Sequence, residues 1–322
     1  MLDSLLELRD STGMDIDPFS DILKLTRAES LVTGGFTAGG RWAMRFPAPD
    51  KIKFFAILRG QCWVLLEGEP QPILFSTGDV GLLSAKRAFV LASDPEVEPI
   101  DAMSVFFGPG KPHAPIGEGN DVEHIGGHVL LNPTSGKLLT HVLPPWIHVP
   151  ANSPQATSFR WLLDQLVQER LQYQPGSQLV STQLAQLLFV QILRAHLQNN
   201  DALPAGWLRV LGDRRLSPAL QLMHGEPARA WHLDELAKAC AMSRTVFAQH
   251  FRETAGMTPI AYLTQWRMRL AEQALSEAGE QVAEVAQSLG YASVSAFSNA
   301  FKRETGLSPK AWRQTAISAP GT

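Results

Sequence analysis

Between about residue 30 and residue 150 the apolar residues come in short runs. Phe54-Phe55-Ala56-Ile57-Leu58, Cys62-Trp63-Val64-Leu65-Leu66 and Val80-Gly81-Leu82-Leu83 are each of strand length. Turn chemistry separates them at Arg59-Gly60, Glu67-Gly68-Glu69-Pro70 and Thr77-Gly78-Asp79. Such spacing predicts a β-sandwich or barrel. The segment Gly108 to Asn120 is rich in Gly and Pro and reads as a surface loop. After Pro154 the period becomes helical. Phe159, Leu162, Leu163, Leu166 and Val167 mark a helix that Gln174-Pro175-Gly176 ends. A second helix, from Ser177 to near Asn199, carries Leu179, Leu184, Leu187, Leu188 and Ile192. The hairpin either covers the β region or forms a dimer seam, since its second helix is very apolar for a single buried stripe. Pro204, Gly206 and the charged Asp213-Arg214-Arg215 mark a linker, and the pattern is helical from Leu216 onward. The expected division is therefore 1–153 for a β domain, 154–200 for the hairpin, 201–216 for the linker and 217–316 for an all-α domain.

The all-α part contains a repeat. Phe251, Gly256, Pro259, Ala261 and Tyr262 recur fifty residues later as Phe301, Gly306, Pro309, Ala311 and Trp312. Phe247 and Ser243 match Phe297 and Ser293 at the same offset, whereas Ala237 matches Ala286 at forty-nine, so the first copy has the shorter turn by one residue. Matching register of this kind marks two copies of one supersecondary unit. Each copy, 233–255 and 282–305, reads as a helix-turn-helix. Ser243 and Ser293 are N-cap residues for the second helices, Gly256 and Gly306 terminate them, and Pro259 and Pro309 each suit the first turn of the next helix.

On each second helix the phenylalanines, four apart, define a core face. The other face carries Arg244, Thr245, Ala248, Gln249 and Arg252 in the first copy. In the second it carries Val294, Ser295, Ser298, Asn299 and Lys302, with Arg303 at the edge. Solvated faces are commonly rich in Glu and Lys pairs; these hold few acids. Short hydroxyl and amide groups suit base edges, and guanidinium or ammonium groups suit phosphate and guanine. Together with the caps Ser243 and Ser293 these polar residues are the candidate contacts to double-stranded DNA. The helix between the copies, Pro259 to about Ser276, would be roughly 27 Å long, close to the roughly 34 Å between successive major-groove segments on one side of B-DNA. Arg267 and Arg269 on it could touch phosphate or serve packing and ion pairing.

Charge refines this only slightly. The 322 residues carry 28 Lys and Arg against 31 Asp and Glu, a net of −3. From Ser217 onward there are ten basic and nine acidic residues, leaving 18 against 22 for the rest. Nucleic-acid binding must then depend on where the basic groups sit. Two distant cysteines, Cys62 and Cys240, exclude a disulfide framework and suit a reducing compartment. Both read as buried, inert thiols. The charged start MLDSLLELRD is not expected to be a signal peptide, and no run approaches membrane-spanning length, so a cytoplasmic protein with no membrane association is expected.

The stretch Val285-Ala286, Leu289-Gly290-Tyr291, Ser295-Ala296-Phe297-Ser298, Phe301-Lys302-Arg303, Gly306-Leu307-Ser308-Pro309 and Trp312-Arg313 resembles the AraC/XylS family of bacterial transcription regulators. The front of the chain is similar to a cupin-type sensor domain joined to one branch of that family. That likeness rests on Leu58-Arg59-Gly60-Gln61-Cys62-Trp63, Gly78-Asp79-Val80-Gly81-Leu82-Leu83, Leu91-Ala92-Ser93-Asp94-Pro95, Leu143-Pro144-Pro145, Ile147-His148-Val149 and Phe189-Val190-Gln191. The resemblance implies an α+β chain: a cupin-like β-barrel with a helical hairpin, then an all-α double helix-turn-helix domain. It also implies control of transcription initiation, usually activation, and hence RNA polymerase as a partner, with a small effector or a second copy bound at the front domain. Metal-binding cupins follow a Gly with Pro-x-Gly and a His. Here that frame reads Gly78, then Ser84-Ala85-Lys86, then Phe89, so no metal or other cofactor is expected. Trp42, Arg45, Phe55, Trp63 and Phe89 are the weak candidates for effector contact. A non-enzymatic regulator is the leading reading. A cupin enzyme, metal-free or metal-dependent, with an accessory helical domain is the alternative.

Overall fold

The computed structural model describes residues 16–106, 113–132, 135–172, 174–198, 203–276 and 280–318. They divide into two compact units, one running from Arg27 to Leu203 and the other combining the residues up to Thr26 with those from Pro204 onward.

The first unit holds eleven strands among its described residues. They are β1 (Glu29–Gly39), β2 (Ala43–Phe46), β3 (Ile52–Arg59), β4 (Gln61–Leu66), β5 (Ile73–Ser76), β6 (Val80–Leu83), β7 (Phe89–Ala92), β8 (Ile100–Asp101), β9 (His113–Gly117), β10 (Val122–Leu130) and β11 (Trp146–Val149). The first helix among the described residues, α1 (Pro18–Leu25), belongs to the other unit, while the short helices α2 (Ala102–Phe106) and α3 (Lys137–Thr140) interrupt the strands. The strands form a six-stranded sheet in the order β11-β6-β3-β10-β1-β9 and a five-stranded sheet in the order β5-β4-β7-β2-β8. The expected barrel is thus realised as a cupin-like sandwich of two sheets. Strand alternation turns Phe36, Phe55, Ile57, Met44, Phe46, Val64, Phe75, Phe89 and Leu91 into one shared core.

One expected loop is ordered otherwise. Within Gly108 to Asn120, His113–Gly117 forms β9 and runs parallel to β1, with Thr37 opposite Pro115. β9 lies at the sheet edge, where a proline's missing N–H need not serve a neighbour on both sides. Asp79 closes the β5–β6 turn: its carboxylate accepts from the N–H of Ser76 (3.0 Å) and of Ala151 (2.7 Å), and His148 Nε2 lies 3.2 Å away.

The hairpin is formed by α4 (Ala156–Gln172) and α5 (Ser177–Gln198). Leu184, Leu188, Phe189, Ile192 and Leu193 of α5 are buried, and the Gln186 side chain accepts from the N–H and hydroxyl of Ser30 on β1 at 3.1 and 3.0 Å.

The second unit is all helical among its described residues: α1, α6 (Trp207–Gly212), α7 (Ser217–Gly225), α8 (Leu233–Ala239), α9 (Arg244–Ala255), α10 (Pro259–Ser276), α11 (Val282–Ser288), α12 (Val294–Thr305) and α13 (Pro309–Ser318). Two features depart from the sequence expectation. The segment read as a linker, 201–216, contains α6, whose Trp207, Leu208 and Val210 are buried. The apolar side chains that Pro204 and Gly206 overshadowed in the sequence pack this stretch into the helical unit. The N-terminal helix α1, expected within 1–153, packs in the helical unit. Asp17 caps it, Phe19, Ile22 and Leu25 are buried, and the Phe19 ring lies 6.5 Å from that of Trp207. Asp21 lies 3.6 Å from His224 Nδ1 on α7; His224 Nε2 is 2.7 Å from the Tyr262 hydroxyl, and its ring stacks on Trp266 at 3.9 Å.

Candidate nucleic-acid interface

The two helix-turn-helix units are built by the same local rules. Each supporting helix opens with a glutamate reaching back to a backbone N–H: Glu235 accepts from His232 at 2.9 Å, Glu284 from Gln281 at 3.2 Å. Each turn passes through one left-handed residue, Ala241 (φ 52°) in the first and Gly290 (φ 78°) in the second. The next N–H then returns to the supporting helix, Met242 to Ala237 and Tyr291 to Ala286. Ala292 comes next in the second copy with no counterpart in the first, which accounts for the change of offset.

The reading helices α9 and α12 are each twelve residues long. Ser243 accepts from Val246 N–H and Ser293 from Ala296 N–H, at 3.4 and 3.2 Å. Left-handed Gly256 and Gly306 close the far ends by donating to Arg252 and Lys302. Phe247, Phe251, Phe297 and Phe301 are fully buried. Their rings anchor the two helices and fix which side remains exposed.

That exposed side carries the residues expected from the sequence. Ser243, Arg244, Thr245, Gln249 and Arg252 are exposed on or beside α9, and Ser293, Ser295, Asn299, Lys302 and Arg303 on or beside α12; Ser298 is half-buried. Arg244 and Arg303 pair with surface acids, Asp234 at 3.5 Å and Glu304 at 3.4 Å, and Gln249 donates to Glu253 at 2.9 Å. Such exposed pairs contribute about 0–1 kcal/mol and yield readily to a stronger partner. The first helix is held from behind as well. His250 Nε2 lies 2.6 Å from Asp213, beyond α6. Burial alone would raise the Asp213 carboxyl, but the Arg215 N–H, His250 and the Arg215 charge outweigh it and hold it below its ordinary value.

Two exposed apolar residues belong to these faces, Val246 at 55% and Val294 at 44% exposed; helical spacing places Val294 there, whereas Val246 was not legible as a contact in the sequence. Both stand in the first turn after a capping serine, but Val246, as a valine, reads as core until its exposure is known. Arg267 and Arg269 are packing residues. Arg267 donates to the carbonyls of Pro227 and Arg229, and Arg269 grips buried Glu272 at 2.8 and 2.9 Å.

The five effector candidates are not brought together. Trp42, Phe55 and Phe89 lie in the inter-sheet core, where Phe89 stacks on Phe46 at 4.8 Å. Arg45 and Trp63 lie on the outer face of the five-stranded sheet, opposite Val90 and Ala92. Cys62 is buried, and burial together with the charge of Asp79 pushes its thiol up to about 12. Cys240 is also buried and raised by burial. Among the described residues no three His, Cys, Asp or Glu side chains are grouped to hold a metal ion, and no helix is long and apolar enough to cross a membrane.

Two capped helices, each backed by a shorter one across a tight turn and joined by one long helix, define a double helix-turn-helix protein. Comparison with known proteins agrees: a helix-turn-helix domain model matches residues 236–315, and a cupin model matches residues 17–198. An AraC-like transcription regulator of Streptomyces lividans is 40% identical over 299 residues, 93% of this chain and 98% of its own. Another from Streptomyces antibioticus is 40% identical over 300 residues, 93% and 99% of the two chains. The HTH-type transcriptional regulator AlkR of Acinetobacter baylyi is 32% identical over 293 residues, 85% and 92%. The chain belongs to the family of AraC-like transcription regulators and is a DNA-binding regulator of transcription.

Proposed function

We propose that the protein reads two adjacent major-groove segments of one operator, α9 entering the first and α12 the second. Arg244, Gln249 and Arg252 on α9 and Ser298, Asn299 and Lys302 on α12 carry the principal contacts, with Ser243, Thr245, Ser293, Ser295 and Arg303 around them. Val246 and Val294 supply apolar contact to thymine methyl groups. The observation that carries this reading is that both faces stay exposed while their phenylalanines are fully buried. A band-shift titration tests it, using a duplex selected from random DNA by the parent protein. Arg244→Ala with Asn299→Ala is expected to weaken binding at least ~30-fold, from about 1–3 kcal/mol per lost base contact. Binding as tight as the parent's would remove the assignment. Replacing contacted thymines by deoxyuridine is expected to weaken the parent and leave Val246→Ala unaffected at its own position.

In the same reading the β-unit and hairpin form the regulatory part, where a small effector or a second copy acts, and the protein works with RNA polymerase as an activator in the bacterial cytoplasm. Leu179, Val180 and Leu187 on α5 and Trp161 on α4 are 66%, 42%, 49% and 56% exposed. Four large apolar side chains left open on one hairpin favour a homodimer over a purely intramolecular role. The relatives are named as regulators, which favours this reading over a cupin enzyme.

A further inference from the structure

We infer that Arg267 is a positioning residue that fixes the separation and rotational phase of the two reading helices; this deepens the two-groove reading and rests on it. Arg267 stands on α10, the helix joining the two units. Its Nε donates to the Pro227 carbonyl at 2.5 Å and its Nη2 to the Arg229 carbonyl at 2.8 Å. Both carbonyls belong to the loop that leads into the first helix-turn-helix. The same guanidinium lies 5.8 Å from the ring centre of Tyr291, in the turn of the second. One side chain therefore touches the joining helix's two neighbours at once.

The backbone makes the same junction independently. Gly290 has φ +78°, and a Cβ placed there would come within 1.9 Å of the Ala228 carbonyl oxygen. The turn of the second unit thus sits directly on the loop of the first, too close for any side chain between them. Contacts continue into both units. Arg229 pairs with Glu235 at 2.7 Å, near the start of α8, and stacks over Trp231 at 3.9 Å, whose indole N–H donates to the Glu226 carbonyl. On the other side Tyr291 meets the Phe297 ring edge-on at 5.5 Å, beneath α12. A planar fork donates to the two carbonyls from separate nitrogens while facing a ring; a lysine has its donors on one nitrogen and lacks that fixed geometry.

The alternative role for Arg267, a phosphate contact, predicts different behaviour. Its Nε and Nη2 are already engaged with protein carbonyls. Loss of a phosphate contact weakens all duplexes alike and lowers the salt slope by about one. Loss of a positioning contact changes which spacing is preferred.

The test uses the full chain and the selected duplex, together with versions carrying one added or one removed base pair between the two half-sites. Each added pair turns one half-site by about 34° and moves it about 3.4 Å. The parent is expected to lose at least tenfold in affinity for either altered duplex. Arg267→Ala is expected to lose less than threefold, with the salt slope unchanged, and Arg267→Lys to fall between. Tyr291→Leu, which keeps the carbonyl contacts, shows how much the ring adds. If Arg267→Ala does not fold, Arg267→Lys decides alone. A spacing penalty equal to the parent's in every folded variant, or a salt slope lowered by one, overturns the inference. A parent indifferent to spacing would instead count against two-groove reading itself.

Discussion

At the scale of single residues, the buried carboxylate of Asp79 is the clearest electrostatic commitment in the β-unit. Burial by itself would raise it, but His148 and the N–H groups of Ser76 and Ala151 more than offset this and hold it below its ordinary value. A depressed carboxylate contributes stability that is complete above its unfolded value near 4. That contribution drains away as the pH falls through the lower folded value. Asp79→Asn is therefore expected to lower the melting temperature at neutral pH, since one or more buried N–H groups lose an ionic acceptor at about 1–3 kcal/mol. Its melting temperature should also vary less than the parent's between about pH 5 and 3, measured by circular dichroism. Parallel curves for the two proteins would assign the acid sensitivity elsewhere. The same carboxylate reinforces the inertness of Cys62, whose thiolate would have to form in an apolar strand beside it.

At the scale of elements, what could be read from the sequence is what neighbouring residues decide. The caps Ser243 and Ser293, the closing glycines and the paired phenylalanines act within one helix, so the repeat disclosed both reading helices and their exposed sides. Long-range partners decide the rest. His113–Gly117 is a strand because β1 offers it an edge, and nothing inside a Gly- and Pro-rich segment announces that. Arg267 serves carbonyls 38 and 40 positions away, so its sequence position left phosphate and packing equally open. Helix α1 is the largest surprise, because its buried face meets α6, α7 and α10, which lie some two hundred residues further along the chain. Phe19→Ala in the full protein is expected to cost about 3 kcal/mol. Hydrogen exchange should show lower protection in α6, α7 and α10 and unchanged protection in the two sheets. Equal loss in both units, or none, would contradict the assignment of α1 to the helical unit.

At the scale of the whole molecule, the exposed leucines of α5 bear on how many copies act together. Leu179→Asp with Leu187→Asp replaces two open apolar side chains and is expected to convert a dimer into a monomer by sedimentation, with the fold retained because neither residue is buried. Operator binding by that variant should weaken more at low protein concentration than at high. A parent that sediments as a monomer at every concentration would leave the hairpin as cover for β1 and β11 alone.

The chain leaves the helical unit after Thr26 and rejoins it at Pro204, so the sandwich and hairpin are an insert with two joints. Anyone building a hybrid regulator from this protein must therefore cut twice. A graft made at a single junction near residue 200 would carry off helix α1 with the wrong partner, stripping Trp207 and His224 of the side chains that cover them.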